Sequence, residues 1–232
     1  MNTSLRQGFL TGNMLKLIGI IAMTIDHIGL ILLPQYEILR ILGRIAFPIF
    51  AYMIAEGCRY TKDRKKYLEG MICLAIICQA GAFVFAKSID MCIIVTFVFS
   101  ITLIYLIDYM IAKRDTKSFL IGIFAFLAIY FVCEMLPNAI KQTSFSVDYG
   151  FFGVITPVFV YLGKNKKEKI AMLTFASILL ASHFGGIQWY ALLAIVLIMM
   201  YNGKRGKANI KNMFYIYYPA HIAAIYLIDR IL

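Results

Sequence analysis

The chain has 232 residues, of which 62% are hydrophobic and 15% charged, and its mean hydropathy is +0.80. A soluble domain is about half apolar and a quarter charged, so too little polar side chain remains here to cover a surface that faces water. The net charge of +11 does not indicate a nucleic-acid-binding protein, because most basic residues stand in short links between apolar runs.

The first apolar run follows a polar start, "MNTSLRQGFLTGNMLK". No small-residue cleavage site follows the run, so we predict that it stays in the protein as a membrane helix and is not a cleaved signal peptide. Within this run Asp26 and His27 stand side by side among apolar residues. An aspartate at the centre of a membrane helix costs at least about 2.5–3.5 kcal/mol, so this pair is the first candidate for a functional site.

Eight further apolar runs follow, and a run of about 17 to 25 residues is long enough to cross a bilayer. The nine predicted spans lie near residues 14–34, 37–58, 67–87, 91–112, 118–136, 148–163, 169–184, 186–201 and 212–231. The sixth, seventh and eighth are short, which leaves open that one of them is re-entrant. The sequence therefore predicts an all-α, polytopic bundle of about nine transmembrane helices in a single domain, residues 1–232.

The links between the runs alternate in charge. Basic clusters follow the second, fourth, sixth and eighth runs, as "RYTKDRKKY", "KRDTK", "KNKKEK" and "GKRGKANIK". Lys87 and Lys141 are the only basic residues of the other links. The positive-inside rule then places the N-terminus in the cytoplasm and the C-terminus outside, in a multi-pass protein of the cell membrane.

Depth in the bilayer follows from the helix rise of 1.5 Å per residue. Because the first two spans are antiparallel around a turn near residue 35, residues whose numbers sum to about 70 should lie level. Asp26 and Arg44 meet that condition, and Lys16 and Glu56 meet it roughly at the cytoplasmic end. We expect an Asp26–Arg44 ion pair, which either orients a site around His27 or serves only to pack the two helices.

Lys16 and His27 lie eleven residues apart in the first span, which puts them on one helix face about 16 Å apart along the axis. A neutral imidazole can act as a general base near pH 7, and a lysine near the membrane surface can bind phosphate groups. This arrangement suits a donor that enters from the cytoplasm and reaches His27. The alternative is that His27 is only an interhelical hydrogen-bond partner.

The last span, "FYIYYPAHIAAIYLI", places His221 near mid-depth, after Tyr218 and Pro219. A proline frees a backbone carbonyl and often marks a site in a membrane helix. The neighbouring tyrosines are equally typical of an interfacial belt. His183, at the outer end of the seventh span, is as readily a loop residue as a functional one.

The five cysteines lie in or at the ends of apolar runs and form no CxxC pair. No Cys/His spacing indicates a zinc site, so we predict no metal and interpret the cysteines as buried free thiols. The cysteines are Cys58, Cys73, Cys78, Cys92 and Cys133.

Several segments resemble the TraX family of conjugal pilin acetylase-like membrane proteins. They are "KLIGIIAMTIDHIG", "GRIAFPIFAYMIAEGCRYTKDRKKYL", "VDYGFFGV", "YNGKRG" and "FYIYYPAHIAAIYLI", which together run from about Lys16 to Ile228. Such proteins look related to membrane acyltransferases that modify cell-envelope sugars, in which a basic residue precedes a histidine of the first span with ten residues between. Lys16 and His27 match that spacing.

The resemblance implies an acetyl-CoA-dependent acyltransferase. His27 would be the catalytic base, with Asp26 beside it; Lys16, Arg59 and Lys62 would bind the donor; and Arg44, Glu56, Tyr218 and His221 would support the site. The donor would enter from the cytoplasm, and the acceptor would come from the membrane or its outer side. A pilin-like peptide, an envelope glycan, a membrane lipid or a small molecule all remain open as the acceptor, whereas nucleic acid is not expected.

Two other functions remain open at this point. A proton-coupled permease would use Asp26, His27 and His221 as a relay. A non-catalytic partner in the assembly of a secretion or conjugation apparatus would need no chemistry at all. Beyond His27 the first span continues as "IGLILLP", wholly apolar, which favours a site that ends at mid-membrane over a polar path across it.

Overall fold

The computed structural model describes residues 8–140, 145–207 and 211–232, and these ranges are helical, with two isolated β-bridges and no longer strand. The helices are α1 (Gly12–His27), α2 (Glu37–Gly43), α3 (Ala46–Tyr60), α4 (Arg64–Ala86), α5 (Ile93–Lys113), α6 (Thr116–Tyr130), α7 (Leu136–Ala139), α8 (Gly150–Leu162), α9 (Lys166–Phe184), α10 (Ala194–Met199) and α11 (Lys211–Asp229). A π-helical turn follows α1 (Ile28–Leu32) and another follows α6 (Phe131–Met135), and a 3₁₀ segment precedes α10 (Gly186–Leu193).

Five helical segments of the described chain are long and apolar enough to cross a membrane. They are Gly12–Leu32, Glu37–Tyr60, Arg64–Ala86, Ile93–Lys113 and Thr116–Ala139. These match the first five predicted spans. The sixth and eighth, now Gly150–Leu162 and Gly186–Met199, are apolar but shorter, and α9 and α11 are not among the five. The helical class and the membrane-spanning character are thus present, while a count of nine crossings is not established.

The helices begin at polar residues in the predicted links. Asp63, Asp115 and Asn165 each accept a hydrogen bond from a backbone N–H in the first turn of the helix that follows. Such capping satisfies donors that have no partner within the helix. The residues that separate the apolar runs therefore also cap the helix that follows.

The outer face of α6 shows why the fold needs a lipid environment. Phe119, Leu120, Phe124 and Leu127 are each more than half exposed, up to 75% at Phe124. Contiguous large apolar side chains would be a liability in water, whereas lipid tails solvate them.

Contacts divide the chain into two compact units, residues 1–53 with 165–232 and residues 54–164. In the first unit α1 packs against α2, α9 packs against the 3₁₀ segment and α10, and α11 contacts both α1 and the π-helical turn that follows it. The π-helical turn begins directly after His27, and such turns are frequent at functional sites.

In the second unit α5 is central, with contacts to α4, α6 and α8. Its polar side chains bond to neighbouring backbone: the Ser100 hydroxyl donates to the carbonyl of Val154 at 2.8 Å, and the Thr96 hydroxyl to that of Asp148 at 2.8 Å. Asp108 accepts hydrogen bonds from the Tyr161 hydroxyl at 2.6 Å and from Arg64 at 2.7 Å. This unit is tied together by side-chain bonds that cross from helix to helix.

Two sequence expectations fall partly outside the described residues. Lys141, one of the two basic residues assigned to the outer links, lies there. So does part of the basic link after the eighth apolar run, residues 208–210.

Candidate functional site

Asp26 binds two arginines in the first unit. One carboxylate oxygen accepts from Arg40 and the other from Arg44, and the Asp26 and Arg44 side chains are only 13% and 11% exposed. The predicted Asp26–Arg44 ion pair is present. Each carboxylate oxygen pairs with one guanidinium group, so Asp26 acts as an anchor between α1 and α2.

Gly43, the last residue of α2, allows this contact. A Cβ atom added at Gly43 would lie 2.2 Å from the Cβ of Asp26 and 2.3 Å from its Oδ1. Real Cβ atoms do not come so close to other heavy atoms, so any side chain at residue 43 would displace Asp26 from the arginines. The close approach of the two helices thus depends on glycine at this position.

Two members of the cluster were missed by sequence reasoning. Arg40 lies one helical turn before Arg44, and this spacing alone puts both guanidinium groups on one face of α2. Gln188, in the 3₁₀ segment, accepts a hydrogen bond from Arg44 at 3.4 Å and is buried. Its Nε2 atom has no partner in the described part of the chain. No local pattern indicates Gln188, because it lies 144 residues from Arg44.

His27 ends α1 and points its ring toward α11. Its Nδ1 atom lies 2.8 Å from the carbonyl oxygen of Met23 and 3.3 Å from Nε2 of His221. The two imidazole rings meet edge to face, with centroids 5.1 Å apart. The two histidines that the sequence placed at similar depth are therefore in direct contact, across 194 residues of chain.

His221 is buried and fixed from several sides. Its Nδ1 atom lies 3.0 Å from the carbonyl oxygen of Tyr217, the Tyr217 ring stacks on it at 5.2 Å, and the Tyr218 ring meets it edge-on at 5.5 Å. The Tyr217 hydroxyl in turn lies 2.7 Å from the Thr24 hydroxyl on α1, which donates to the carbonyl of Ile20. Tyr217 thus links α11 to α1.

The tautomer of each neutral ring is assigned from these contacts. A carbonyl oxygen only accepts, so Nδ1 carries the hydrogen in both His27 and His221. Nε2 of His221 then has a lone pair that faces the same His27 Nδ1–H, which is shared between the Met23 carbonyl at 2.8 Å and His221 at 3.3 Å. Nε2 of His27 also has a lone pair, and it has no hydrogen-bond partner in the described ranges. The contacts at Nδ1 of His27 therefore favour the tautomer in which Nε2 carries the basic lone pair.

Lys16 lies on α1 toward the other end of the unit. Its ammonium group sits 5.4 Å from the centre of the Phe214 ring on α11, a cation–π contact. Next to it, the link "NGKRGK" at residues 202–207 crosses the start of α1. The N–H groups of Gly12 and Asn13 donate to the carbonyls of Lys204 and Arg205, at 2.8 and 2.9 Å. We call residues 202–207 the basic strap.

The strap brings positive charge to the end of α1. Lys204, Arg205 and Lys207 are exposed there. Gly206 has a φ of +98°, a conformation open to glycine, and an added Cβ would lie 3.0 Å from Thr11 and from Asn13 side-chain atoms. From the sequence, these basic residues served to predict the topology and formed part of one segment of the family resemblance. The spacing could not reveal that they lie beside the first turn of α1.

The remaining predicted site residues lie in the second unit. Arg59 donates to the carbonyls of Tyr161 and, at 2.9 Å, of Gly163, and its guanidinium lies over the Tyr161 ring. It therefore binds the C-terminal end of α8, where unpaired carbonyls need donors. Lys62 is exposed in the link after α3, and Glu56 is buried within α3.

No group of three or more His, Cys, Asp or Glu side chains in the described ranges is arranged to hold a metal ion. The site presents the imidazole rings of His27 and His221. His183 is exposed at the end of α9, where its ring meets the Phe184 ring edge to face.

Comparison with known proteins identifies relatives over nearly the whole chain. A family model described as TraX protein matches residues 11–229. A protein of Dichelobacter nodosus named as a probable fimbrial assembly protein FimC, serogroup H1, is 28% identical over 245 aligned residues, covering 91% of this chain and 92% of the relative. An uncharacterized protein of Rickettsia prowazekii is 25% identical, over 72% of this chain and 61% of its own length. No solved structure matches the chain.

Proposed function

The chain belongs to the TraX family, and from that premise we propose that it is an integral membrane acetyltransferase with His27 as its general base. Acetyl-CoA is the donor, and the acceptor is an amine or hydroxyl group at the membrane or in the cell envelope. The observation that carries the proposal is the His27 ring, which lies inside a candidate span with Nδ1 fixed by Met23 and His221. Its Nε2 atom has no hydrogen-bond partner among the residues that the structure describes.

In the proposed reaction, His27 moves a proton from the acceptor to the CoA thiolate. His27 Nε2 takes the proton from the acceptor as its nitrogen or oxygen attacks the thioester carbonyl. The acetyl group is then bonded to the acceptor, the C–S bond breaks, and the CoA thiolate takes the proton from the imidazolium. Loss of a general base lowers the rate by about 10²–10⁴-fold.

His221 supports this reaction as a positioning residue. Its Nε2 lone pair faces His27 Nδ1–H, so it holds the tautomer that presents Nε2 to substrate and stabilises the positive ring after proton transfer. Tyr217 and Tyr218 fix His221, and the Asp26–Arg40–Arg44 cluster fixes the end of α1 that carries His27.

The donor's phosphate groups bind at the other end of the first unit. Lys16 and the basic strap supply the cations, and Lys16 shares α1 with His27. The eleven-residue separation corresponds to about 16 Å along a helix axis, which an extended thioester donor can span. Lys62 remains a further candidate contact, whereas Arg59 is already engaged with two carbonyls.

The proposed topology follows from the charges of the links between the apolar runs. If the chain crosses a bacterial cell membrane nine times with its N-terminus in the cytoplasm, the strap lies on the cytoplasmic side, where acetyl-CoA is made. His27 then lies toward the outer half, where an acceptor in the envelope can reach it.

The first test follows release of CoA from acetyl-labelled acetyl-CoA by the purified, detergent-solubilised chain, with a membrane extract as acceptor. We expect release by the native chain, a loss of at least 100-fold in His27→Ala, and no loss in the matched control His183→Ala. Equal release by the native chain and His27→Ala would refute the role of His27, and the labelled product of the native chain identifies the acceptor.

A second candidate function rests on the name of one relative. The Dichelobacter nodosus protein is named for fimbrial assembly, which also fits a non-catalytic assembly partner. The two functions separate in a cell that depends on the chain for fimbriae or pili. If the chain is a non-catalytic partner, His27→Ala leaves fimbrial or pilus assembly intact. If it is an acetyltransferase, His27→Ala abolishes acetylation as completely as deletion of the chain does, although the folded variant accumulates normally.

A further inference from the structure

A cluster of charged and aromatic side chains joins four helices at one end of the second unit. The Tyr161 hydroxyl, at the end of α8, donates to Oδ2 of Asp108 on α5 at 2.6 Å. Arg64, the first residue of α4, forms an ion pair with the same oxygen at 2.7 Å. Arg59, in the last turn of α3, donates to the carbonyl of Tyr161. We call Arg59, Arg64, Tyr105, Asp108 and Tyr161 the arginine cluster, and all five belong to the second unit.

Both guanidinium groups of the cluster lie over aromatic rings. The Cζ atom of Arg64 is 5.1 Å from the centre of the Tyr105 ring, and that of Arg59 is 5.1 Å from the centre of the Tyr161 ring. A cation–π contact holds the plane of a guanidinium group without using its N–H donors. A guanidinium group that is fixed in this way is well suited to bind the oxygens of a phosphate group.

The two arginines have donors that the protein does not use. Arg64 is 48% exposed, and its ion pair with Asp108 uses one Nη atom. Arg59 donates through one Nη atom to two carbonyls, whereas its buried Nε atom has no hydrogen-bond partner in the described part of the chain. Two guanidinium groups and one carboxylate leave the cluster with one net positive charge. An anion with several oxygens would complete it.

The link beside the cluster adds further positive charge. In "RYTKDRKK", residues 59–66, Asp63 is the one acidic residue among several basic ones. Its carboxylate is occupied as the cap of α4, where it accepts from the Lys66 N–H at 2.9 Å. The alternation of charge assigns this link to the cytoplasmic side. Groups of about four to eight basic residues next to a membrane helix are typical of sites for anionic lipid headgroups.

An apolar face of α4 continues from the cluster into the membrane. Ile72, Ile76 and Phe83 are exposed, and their spacings of four and seven residues put them on one side of the helix. Lys65, seven residues before Ile72, is exposed at the upper end of the same side. A phospholipid matches this arrangement, since its acyl chains need apolar surface directly below the site of its headgroup. A soluble phosphate compound has no use for that surface.

We propose that the arginine cluster binds the phosphate group of an anionic phospholipid in the cytoplasmic leaflet, with the acyl chains along α4. Arg64 is the main contact and donates to the phosphate oxygens from the N–H groups that do not face Asp108. Lys65 adds a second cation at the lipid-facing side. The net positive charge of the cluster selects an anionic headgroup over a zwitterionic one. Lipid binding at this site does not depend on acetyl transfer.

The test is native mass spectrometry of the delipidated, full-length chain in detergent, titrated with phosphatidylglycerol or with phosphatidylcholine of the same acyl chains. We expect the first phosphatidylglycerol to bind at least fivefold more tightly than the first phosphatidylcholine, and Arg64→Ala to lose this preference. The matched control is Arg114→Ala, which removes an exposed arginine of another basic link, where Nε donates to the carbonyl of Ile111. Arg114→Ala should keep the preference.

Three results would overturn the proposal. They are equal binding of the two lipids to the native chain, a preference that persists in Arg64→Ala, and competition of acetyl-CoA with phosphatidylglycerol, which would assign the cluster to the donor. Should Arg64→Ala fail to accumulate, a phosphatidylglycerol analogue with a photoreactive headgroup is cross-linked to the native chain. Adducts on the peptide that contains residues 59–66 support the site, and adducts confined to other peptides contradict it.

Discussion

His221 either only packs against His27 or also positions its ring for catalysis. Its Nε2 lies 3.3 Å from Nδ1 of His27, whereas the other ring nitrogen of His27, Nε2, is the atom that we propose takes the substrate proton. A packing role needs only the shape of the side chain, while a positioning role needs an acceptor at that point. The two roles therefore predict different outcomes for substitutions of similar size.

For His221→Leu we expect kcat to fall about 10–100-fold, the usual cost of removing a group that orients a reactive one, with little change in the KM for acetyl-CoA. His221→Gln keeps an amide oxygen that can accept from His27, so it should retain more of kcat than His221→Leu. Steady-state CoA release measures both. Equal losses in the two variants, or a loss confined to KM, would contradict the positioning role.

Gly43 sets the separation of α1 and α2 at the Asp26 cluster, which makes it a test at the scale of an element. Gly43→Ala forces a methyl group against Asp26, and we expect a loss of about 1–3 kcal/mol, the usual cost of overpacking, seen as a lower Tm in detergent. The matched control is Gly81→Ala in α4, where an added Cβ has nothing within 4 Å. Equal effects of the two substitutions would show that the Gly43 contact is not formed.

The helices near the site illustrate what sequence alone can predict. Counting the rise along two antiparallel helices was enough to pair Asp26 with Arg44, because both positions depend only on a turn near residue 35. Arg40 follows from the same argument once one turn of tolerance is allowed. Gln188 and the His27–His221 contact do not follow, because they depend on which distant helices pack together, and hydrophobic periodicity carries no information on helix neighbours.

The basic strap gives a second prediction at this scale. Lys204→Ala with Arg205→Ala removes two exposed cations beside α1, and we expect the KM for acetyl-CoA to rise about fivefold for each charge, equivalent to about 1 kcal/mol. The effect should shrink as salt is added, because salt screens exposed charges. Lys62→Ala, tested in parallel, decides whether the predicted contact in the second unit contributes. An unchanged KM in the strap variant would place the donor elsewhere.

At the scale of the whole molecule, the alternating charge of the links is more informative than the helices themselves. Only five described segments are long and apolar enough to cross a bilayer on their own. α9 begins with four charged residues, "KKEK", and the segments at 150–162 and 186–199 are short. Short or partly polar helices cross where neighbouring helices cover their polar groups, so length and apolarity underestimate the number of crossings in a bundle.

Single cysteines at exposed link positions test the predicted orientation and the crossings near the site. Nine spans with a cytoplasmic N-terminus predict that Gln35→Cys and His183→Cys react with a membrane-impermeant maleimide in intact cells. Lys62→Cys and Lys204→Cys should react only after permeabilisation, and the unsubstituted chain corrects for its five native cysteines. If α9 and the following segment do not cross, His183→Cys will need permeabilisation as well, and the chain then has seven spans at most. Labelling of Gln35→Cys from inside only would reverse the orientation and move the strap away from cytoplasmic acetyl-CoA, so the same four positions test the route proposed for the donor.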